Sequence, residues 1–259
     1  MTKARINGID IHFQTYGEGD AIVFAHGAGG NLLSWWQQIP YFSQRYRCVT
    51  FDHRGFGHSA DELEGPGSDS FVDDLTGLLD HLGVDRAHLV AQSMGGRTML
   101  GFAAAHPQRT RSLVMADTVG GMAVEEVSGL HRKWRESHRS SEQVGSRALS
   151  PGFRKKNQEL ANLYLQISST NPPRPPASDQ STGQSPGPDA ERLGCITAPV
   201  LFIVGEEDVM TPPEVVEAGA KYVPGARVTR VPEAGHSVYF EKPEIFNFVV
   251  SSFIEEAGV

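Results

Sequence analysis

The sequence has little cysteine: two of its 259 residues, Cys48 and Cys195, are cysteines. A disulfide framework or a zinc site needs several cysteines, or cysteines with histidines at ligand spacing, and neither residue has such a neighbour. Cys48 lies in an apolar run and Cys195 precedes another, so we expect two buried thiols. No base is evident beside either thiol. The sequence therefore predicts neither a metal site nor a catalytic cysteine.

Long apolar runs are also absent. No run approaches the roughly 20 residues that a helix needs to cross a bilayer. The first stretch, MTKARINGIDIHFQ (1–14), lacks the continuous apolar core of a signal peptide. We therefore expect a soluble, cytoplasmic protein with no membrane partner.

An excess of positive charge is missing as well. The chain has 23 Lys and Arg residues against 31 Asp and Glu residues, a formal net charge of -8. Nucleic-acid binding normally needs Lys and Arg clustered on one face, so we expect a neutral or weakly polar small molecule as the partner. One basic run, HRKWRESHR (131–139), stands out. We interpret it as the solvated face of a helix, with anion binding as the alternative.

Short apolar runs alternate with amphipathic, helix-like stretches along most of the chain. This alternation predicts a mostly parallel sheet covered by helices on both faces. The first runs have no long helices between them, which predicts an antiparallel start to the sheet. The runs are IDIHFQTYG (9–17), AIVFAHG (21–27), RCVTFD (47–52), AHLVAQ (87–92), RSLVMAD (111–117), APVLFIVG (198–205) and ARVTRVP (226–232).

The alternation stops after residue 117 and resumes near 199, which is far longer than one connecting helix requires. We therefore predict a core domain of residues 1–118 and 195–259 with a cap insertion at 119–194. The first half of the insertion has two helix-like stretches, at 124–140 and 153–167. The second half contains a strap at 169–188, rich in Pro, Ser and Gly, which we expect to be loose.

Ser93 lies between a strand-like run and a helix-like run, flanked by Ala91, Gly95 and Gly96. A serine hydroxyl is a weak nucleophile, so its use requires a base, a group that orients the base, and donors for an oxyanion. A sharp strand-to-helix turn with small flanking residues exposes such a serine. The usual pattern is G-x-S-x-G, and Ala91 departs from it while remaining small. The alternative is a serine that caps the helix.

A glycine-rich turn, FAHGAGGN (24–31), follows an earlier strand-like run. Such a turn leaves backbone N–H groups free to point into a site. The N–H groups of Ala28 and Met94 would together form an oxyanion hole. The spacing does not fit a dinucleotide-binding fingerprint, because Asn31, Leu32 and Leu33 follow the glycines. A plain tight turn remains the alternative.

A carboxylate and a histidine follow the last two strand-like runs. Asp208 comes just after one strand, where an open parallel sheet presents its functional loops. Its alternative role is to cap the helix that begins near Pro212, and Glu206, Glu207 and Asp117 are competing carboxylates. His236 lies in a glycine-flanked loop. Serine, aspartate and histidine thus arrive in the order expected for a catalytic triad.

These motifs resemble those of the α/β-hydrolase fold superfamily along nearly the whole chain. The resemblance implies an eight-stranded, mostly parallel sheet with helices on both faces and a small helical cap. It further implies Ser93 as nucleophile, His236 as general base and then acid, Asp208 as the orienting carboxylate, and Ala28 and Met94 as oxyanion donors. No cofactor is implied. The matching motifs are HGAGG (26–30), DHRGFGHS (52–59), AQSMGG (91–96), GEEDVMTPP (205–213) and AGHSVYFEKP (234–243).

The sequence resembles small esterases and enol-lactone hydrolases of aromatic catabolism more than large lipases, which implies cleavage of a small-molecule ester or lactone by water. One alternative is a C–C bond hydrolase of meta-cleavage products. That group tends to have Asn before the serine and Trp after the histidine, where this chain has Gln92 and Ser237. Cofactor-free perhydrolysis and a non-catalytic ligand-binding protein are further alternatives. His26 and the turn at 52–59 are expected to support the oxyanion loop.

We also expect a substrate pocket whose wall includes residues from the core and the cap. Leu163, Tyr164 and Ile167 are expected to form the apolar underside of the cap. The pocket residues predicted from the sequence are Asn31, Trp35, Gln92, Tyr164, Val209 and Ser237.

Overall fold

The structure is a computed structural model that describes residues 2–62, 65–138, 147–173 and 186–258. Most of the predicted strap, residues 174–185, therefore lies outside the described residues, as does the end of the basic run at 139. No helix in the described part of the chain is long and apolar enough to cross a membrane.

Eight strands in the described residues form one sheet in the order β1-β2-β4-β3-β5-β6-β7-β8. β2 pairs antiparallel with both β1 and β4, and the remaining neighbours pair in parallel. The predicted fold class and the antiparallel start are confirmed. The strands are β1 (Thr2–Ile6), β2 (Ile9–Tyr16), β3 (Ala21–Ala25), β4 (Arg47–Phe51), β5 (Ala87–Gln92), β6 (Thr110–Ala116), β7 (Val200–Gly205) and β8 (Arg227–Val231).

Seven strands coincide with the apolar runs, and β1 is the one that the runs did not reveal. Its sequence, TKARI, buries only Ala4 and Ile6. β1 is an edge strand that pairs with β2 alone, and Lys3 and Arg5 on one of its faces are exposed. A half-exposed edge strand needs few apolar residues, which explains why it lacks a continuous apolar run.

Helices cover both faces of the sheet, as the strands of a buried parallel sheet require. Successive residues of β3 point to opposite faces: Val23 packs in the layer with α2, α3 and α8, whereas Phe24 packs in the layer with α1 and α10. The helices described are α1 (Ile39–Phe42), α2 (Phe71–His81), α3 (Gly95–Ala105), α4 (Glu125–Ser137), α5 (Pro151–Lys156), α6 (Gln158–Ser169), α7 (Ala190–Gly194), α8 (Pro213–Ala220), α9 (Val238–Glu241) and α10 (Pro243–Ala257).

The carboxyl ends of the parallel strands meet at one edge of the sheet, where a crevice for ligands forms. Ser93 follows β5, Asp117 follows β6, Asp208 comes after β7 and His236 comes after β8. The topology therefore brings all four side chains to the same edge.

The segment between β6 and β7 contains α4, where one helix-like stretch was predicted. The second stretch, at 153–167, forms two helices instead of one. Asn157 separates α5 from α6 with φ -131° and ψ 62°, which lies outside the helical region. Neither Gly nor Pro marks this break in the sequence.

The described ends of the strap, residues 169–173 and 186–188, are attached to the rest of the protein, while the residues between them lie outside the described ranges. Asn171 donates hydrogen bonds to the carbonyls of Gly29 and Gly30. At the other end, the carbonyl of Pro188 accepts a hydrogen bond from the N–H of Ala123 at 2.9 Å. The strap has few apolar residues, and its described ends are held by hydrogen bonds from polar side chains and backbone groups.

The two cysteines differ in their surroundings. Cys48 is buried as expected, and burial raises the pKa of its thiol to about 12. The expectation for Cys195 was wrong, because its side chain is exposed. It follows the short helix α7 at the surface, and the buried strand begins only at Val200.

Candidate active site

Ser93 lies in a turn with unusual backbone geometry. Its φ is +50°, in the left-handed region that non-glycine residues seldom adopt. Its N–H donates to the carbonyl of Ala116 at 3.0 Å, which anchors the turn to β6. A Cβ on Gly95 would collide with the carbonyl oxygen of Ala25, so α3 begins directly against the end of β3. The sharp turn places the Ser93 side chain at the wall of a cavity.

Ser93, His236 and Asp208 form a continuous chain of hydrogen bonds. Nε2 of His236 lies 2.8 Å from Oγ of Ser93, and Nδ1 lies 2.8 Å from Oδ2 of Asp208. A neutral imidazole with its proton on Nδ1 donates to the carboxylate and accepts the serine proton at Nε2. Oδ1 of Asp208 accepts from the N–H groups of Met210 and Thr211 at 2.7 and 2.9 Å. These bonds fix the orientation of the carboxylate.

The pKa of His236 lies above its ordinary value of 6.5. Burial lowers the pKa, but the negative charge of Asp208, the hydrogen bond to it and the charges of Asp117 and Glu241 together raise the pKa by more. Asp208 is itself buried, so water screens this interaction poorly. The arrangement favours the imidazolium that forms when His236 takes a proton.

The loop that carries His236 is held by two side chains. Gln92 donates from Nε2 to the backbone carbonyl of His236 at 2.8 Å. Glu241 accepts from the N–H of Gly235 at 3.0 Å and from the N–H of Ser150 at 3.1 Å. Burial raises the pKa of Glu241, and these donors partly offset that increase. The sequence analysis did not predict a role for Glu241. An acidic residue in the otherwise apolar VYFE helix could have indicated a buried carboxylate with a positioning role.

Asp117 is fully buried near the chain of hydrogen bonds, with φ +55°. Its two carboxylate oxygens accept from the N–H groups of Gly205 and Val238, each at 3.1 Å. Burial, followed by the charge of Asp208, raises its pKa well above the usual range. Asp117 therefore connects the loops that carry Asp208 and His236, while Asp208 makes the hydrogen bond to the imidazole.

The other two competing carboxylates lie outside the site. Glu206 and Glu207 are exposed, and their backbone N–H groups donate to the carbonyls of Val231 and Ala234. Their position in the turn after β7 points their side chains into solvent.

The glycine-rich turn lies next to Ser93, where Ala28 and Met94 line the same cavity. Met94 precedes α3, and the first N–H groups of a helix have no acceptor within it. A Cβ on Gly27 would collide with the side-chain oxygen of Gln92, so the turn packs closely against the residue before Ser93. Gly27 permits this close approach because it has no Cβ.

The turn at 52–59 supports the glycine-rich turn, as expected. Nε2 of His26 accepts from the N–H of His53 at 3.1 Å, and Asp52 accepts from the N–H of Leu32 at 2.7 Å. These two buried bonds join the loops. Asp52 also accepts from the N–H of His58 at 2.9 Å, which holds the 52–59 turn itself.

A family model described as the alpha/beta hydrolase fold matches residues 20–243. The chain belongs to the α/β hydrolase fold family. It is similar over nearly its whole length to BpoC of Mycobacterium tuberculosis, which has the provisional name of a non-heme bromoperoxidase. The two are 30% identical over 266 residues, covering 95% of this chain and 97% of BpoC.

Two further relatives are hydrolases. The 3-oxoadipate enol-lactonase 2 of Acinetobacter baylyi is 26% identical, covering 95% of this chain and 94% of the enol-lactonase. The structure of a thermophilic esterase from Thermogutta terrifontis superposes with a TM-score of 0.82 at 25% identity, covering 100% of this chain and 99% of the esterase. Family membership and these relatives together support an enzyme of the hydrolase kind.

In this α/β hydrolase, Ser93 and His236 open into a cavity of about 750 Å³. Two of the predicted pocket residues, Gln92 and Tyr164, line it. Several other lining residues were missed, among them two arginines. The missed residues are Gly29, Arg97, Thr118, Val119, Gly121, His131, Arg135, Ala148, Ser168, Asn171, Pro172, Met210 and Thr211.

Two predicted pocket residues lie instead in the protein interior near the glycine-rich turn. Trp35 is fully buried, and its ring packs against those of Phe24 and Tyr239. Its short 3-10 helix points the indole into the core. Asn31 is also buried, and its amide donates to the carbonyl of Ile167 at 3.1 Å. Asn31 therefore attaches the cap to the core.

The other two predicted pocket residues flank the cavity without lining it. Ser237 is buried and donates from Oγ to the hydroxyl of Tyr164 at 3.1 Å. Val209 is partly exposed at the surface, and its carbonyl accepts from Nε1 of Trp134 at 3.0 Å. Of the expected cap underside, Tyr164 lines the cavity, Ile167 is buried and Leu163 is exposed.

Proposed function

We propose that the protein is a serine hydrolase that cleaves a carboxylic ester or lactone of a small molecule through an acyl-enzyme. The observation that carries this proposal is the unbroken series of hydrogen bonds from Asp208 through His236 to Ser93. This series ends in a cavity large enough for a small organic substrate.

In the proposed first step, Oγ of Ser93 attacks the carbonyl carbon while its proton moves to Nε2 of His236. The N–H groups of Ala28 and Met94 stabilise the oxyanion, and Asp208 stabilises the imidazolium. The C–O bond of the ester then breaks, and the leaving alkoxide takes the proton from His236. In the second step, water gives a proton to His236 and attacks the acyl carbon; the bond from this carbon to Oγ of Ser93 then breaks, His236 returns the proton to Oγ, and the acid leaves.

The relatives support ester and lactone substrates, since one is named an enol-lactonase and another an esterase. The geometry argues against a non-catalytic binding protein, because a base lies within hydrogen-bond distance of a strained, cavity-lining serine. Gln92 and Ser237 argue against a C–C bond hydrolase of meta-cleavage products, because that group tends to have Asn and Trp at these two positions.

Perhydrolysis is a second candidate, and the similarity to BpoC favours it. In that reaction hydrogen peroxide replaces water on the same acyl-enzyme and leaves as a peracid. Bromination of monochlorodimedone in acetate and peroxide, compared with ester turnover by the same preparation, separates the two activities.

A panel of small esters and lactones tests the proposal. Ser93→Ala and His236→Ala are each expected to lower kcat by several orders of magnitude, because each removes a group that makes or breaks bonds. Ser168→Ala is the matched control, since Ser168 lines the same cavity outside the hydrogen-bonded chain. Near-normal turnover in Ser93→Ala contradicts the proposal.

A further inference from the structure

Helix α4 of the cap is fixed in rotation by two hydrogen bonds to the loop that carries Asp208. His131 donates from Nε2 to the carbonyl of Met210 at 2.7 Å, and Trp134 donates from Nε1 to the carbonyl of Val209 at 3.0 Å. Residues three, four and seven positions apart share one face of a helix. Arg135 therefore lies on the anchored face, and His138, the residue after α4, stacks on the ring of Trp134 with 3.7 Å between the ring centroids.

This face forms the wall of a second lobe of the cavity, of about 460 Å³, which also reaches Ser93 and His236. Five basic residues line the lobe, one of them the proposed base His236, and none of the described lining residues is Asp or Glu. The chain as a whole has a net charge of -8, so the wall is opposite in sign to the protein. The lining residues are Ser93, His131, Arg135, His138, Arg147, Met210, Thr211 and His236.

Two guanidinium groups provide the fixed positive charge of this lobe. Arg135 makes no ion pair with any residue that the structure describes. Nε of Arg147 is buried and has no hydrogen-bond partner within the described ranges. Burial lowers the pKa of His131, which is consistent with a neutral ring bonded to Met210. By contrast, Arg97 in the larger lobe already has Asp69 at 3.7 Å.

A buried guanidinium donor without an acceptor is costly, and the planar group matches a carboxylate through two parallel hydrogen bonds. We infer that this lobe is an anion subsite in which Arg135 and Arg147 bind a carboxylate of the substrate while Ser93 attacks its ester or lactone bond. The inference rests on the proposed function. It takes up the anion-binding alternative of the sequence analysis for Arg135, which lies on the exposed part of the basic run, and it adds a carboxylate to the small-molecule partner expected there.

Two p-nitrophenyl esters of the same shape test the subsite. The monoester of glutaric acid ends in a carboxylate, and the ester of 5-methylhexanoic acid ends in an isopropyl group. Charge-assisted hydrogen bonds predict that wild type has a kcat/KM roughly 10- to 100-fold higher for the glutarate ester. Arg135→Gln and Arg147→Gln are each expected to bring the ratio of the two kcat/KM values close to one.

Arg132→Gln is the matched control. Arg132 lies on α4 but pairs with Glu125 at 3.1 Å and does not line either lobe. This variant is expected to keep the wild-type ratio. A wild type without preference for the glutarate ester overturns the inference, as does a preference that Arg135→Gln and Arg147→Gln both retain.

Calorimetric titration with glutarate separates failure of the subsite from failure of the proposed function. If wild type cleaves neither ester, the proposed function fails, but binding of glutarate that Arg135→Gln weakens about tenfold still supports the subsite. Absence of glutarate binding overturns it. Inorganic phosphate serves as the competing anion, and equal affinity for phosphate overturns the assignment to a carboxylate.

Discussion

Nε2 of Gln92 donates a hydrogen bond to the backbone carbonyl of His236 at 2.8 Å. The residue directly before the proposed nucleophile therefore restrains the loop of the proposed base, 144 residues further along the chain. The bond is buried, so water does not compete for it. A change at Gln92 is expected to alter the distance between Ser93 and His236 without removing either group.

Gln92→Met keeps the size of the side chain and removes this donor. We expect kcat to fall by about 10-fold, because the carbonyl of His236 loses its partner and the imidazole loses its fixed distance to Ser93. Ester kinetics at saturating substrate measure the effect. The control is Gln166→Met, since Gln166 is exposed on α6. Equal kcat values in the two variants contradict the positioning role.

The pH dependence of ester turnover follows from the raised pKa of His236. The base must be neutral, so kcat/KM is expected to rise with pH through a value above 6.5. Asp208→Asn removes the charge that raises this pKa and leaves the burial that lowers it. The rising limb of its residual activity should therefore move to lower pH. A limb at the same pH in both proteins contradicts the account.

The raised pKa also affects folding stability. A group that binds its proton more tightly in the folded state stabilises the fold at pH values below its ordinary pKa. This contribution of His236 is lost as the pH rises through the raised value.

The sequence predicted the parts of the site that are fixed by strand ends. Ser93, Asp208 and His236 each follow an apolar run, and the parallel topology brings such loops to one edge. The glycines beside Ser93 were also informative, because Gly95 permits a contact with the backbone of Ala25 that no other residue tolerates. Strand β1 escaped detection because an edge strand needs few apolar residues.

The direction in which side chains point from short, irregular segments could not be predicted. Trp35 points from a 3-10 helix into the core instead of the cavity. Arg135 lies in a run of mixed charge on α4. The hydrogen bonds of His131 and Trp134 to a loop distant in sequence determine which side of this helix faces the cavity. Such long-range contacts leave no local periodic pattern.

The elbow glycine provides a test of backbone packing. A Cβ at position 95 collides with the carbonyl oxygen of Ala25, so Gly95→Ala is expected to lower the free energy of unfolding by about 3 kcal/mol. Gly152 lies in α5 with open space around the corresponding position. Gly152→Ala should be neutral or stabilise the protein by up to about 1 kcal/mol. Urea unfolding compares the two, and equal stabilities contradict the close packing.

Asn171 attaches the predicted cap insertion to the glycine-rich turn and to Gly57. Its Oδ1 accepts from the N–H of Gly57 at 2.8 Å, and its Nδ2 donates to the carbonyl of Gly30 at 3.2 Å. Asn171→Ala is expected to lower the free energy of unfolding by about 1–2 kcal/mol and to raise KM, because the loop loses its partner beside the cavity. Asn157→Ala is the control, since among the described residues its side-chain amide bonds to Phe153 in the adjoining helix. Equal effects in chemical unfolding contradict a docking role for Asn171.

We propose above that Ser93 is an activated nucleophile. Intact mass after treatment with a fluorophosphonate tests this activation most directly, because the experiment does not depend on knowing the natural substrate. The account predicts one covalent adduct on wild type and none on Ser93→Ala, because a phosphonate fluoride reacts with a serine whose proton His236 can take. Absence of an adduct on folded wild type, or an equal adduct on Ser93→Ala, would contradict it.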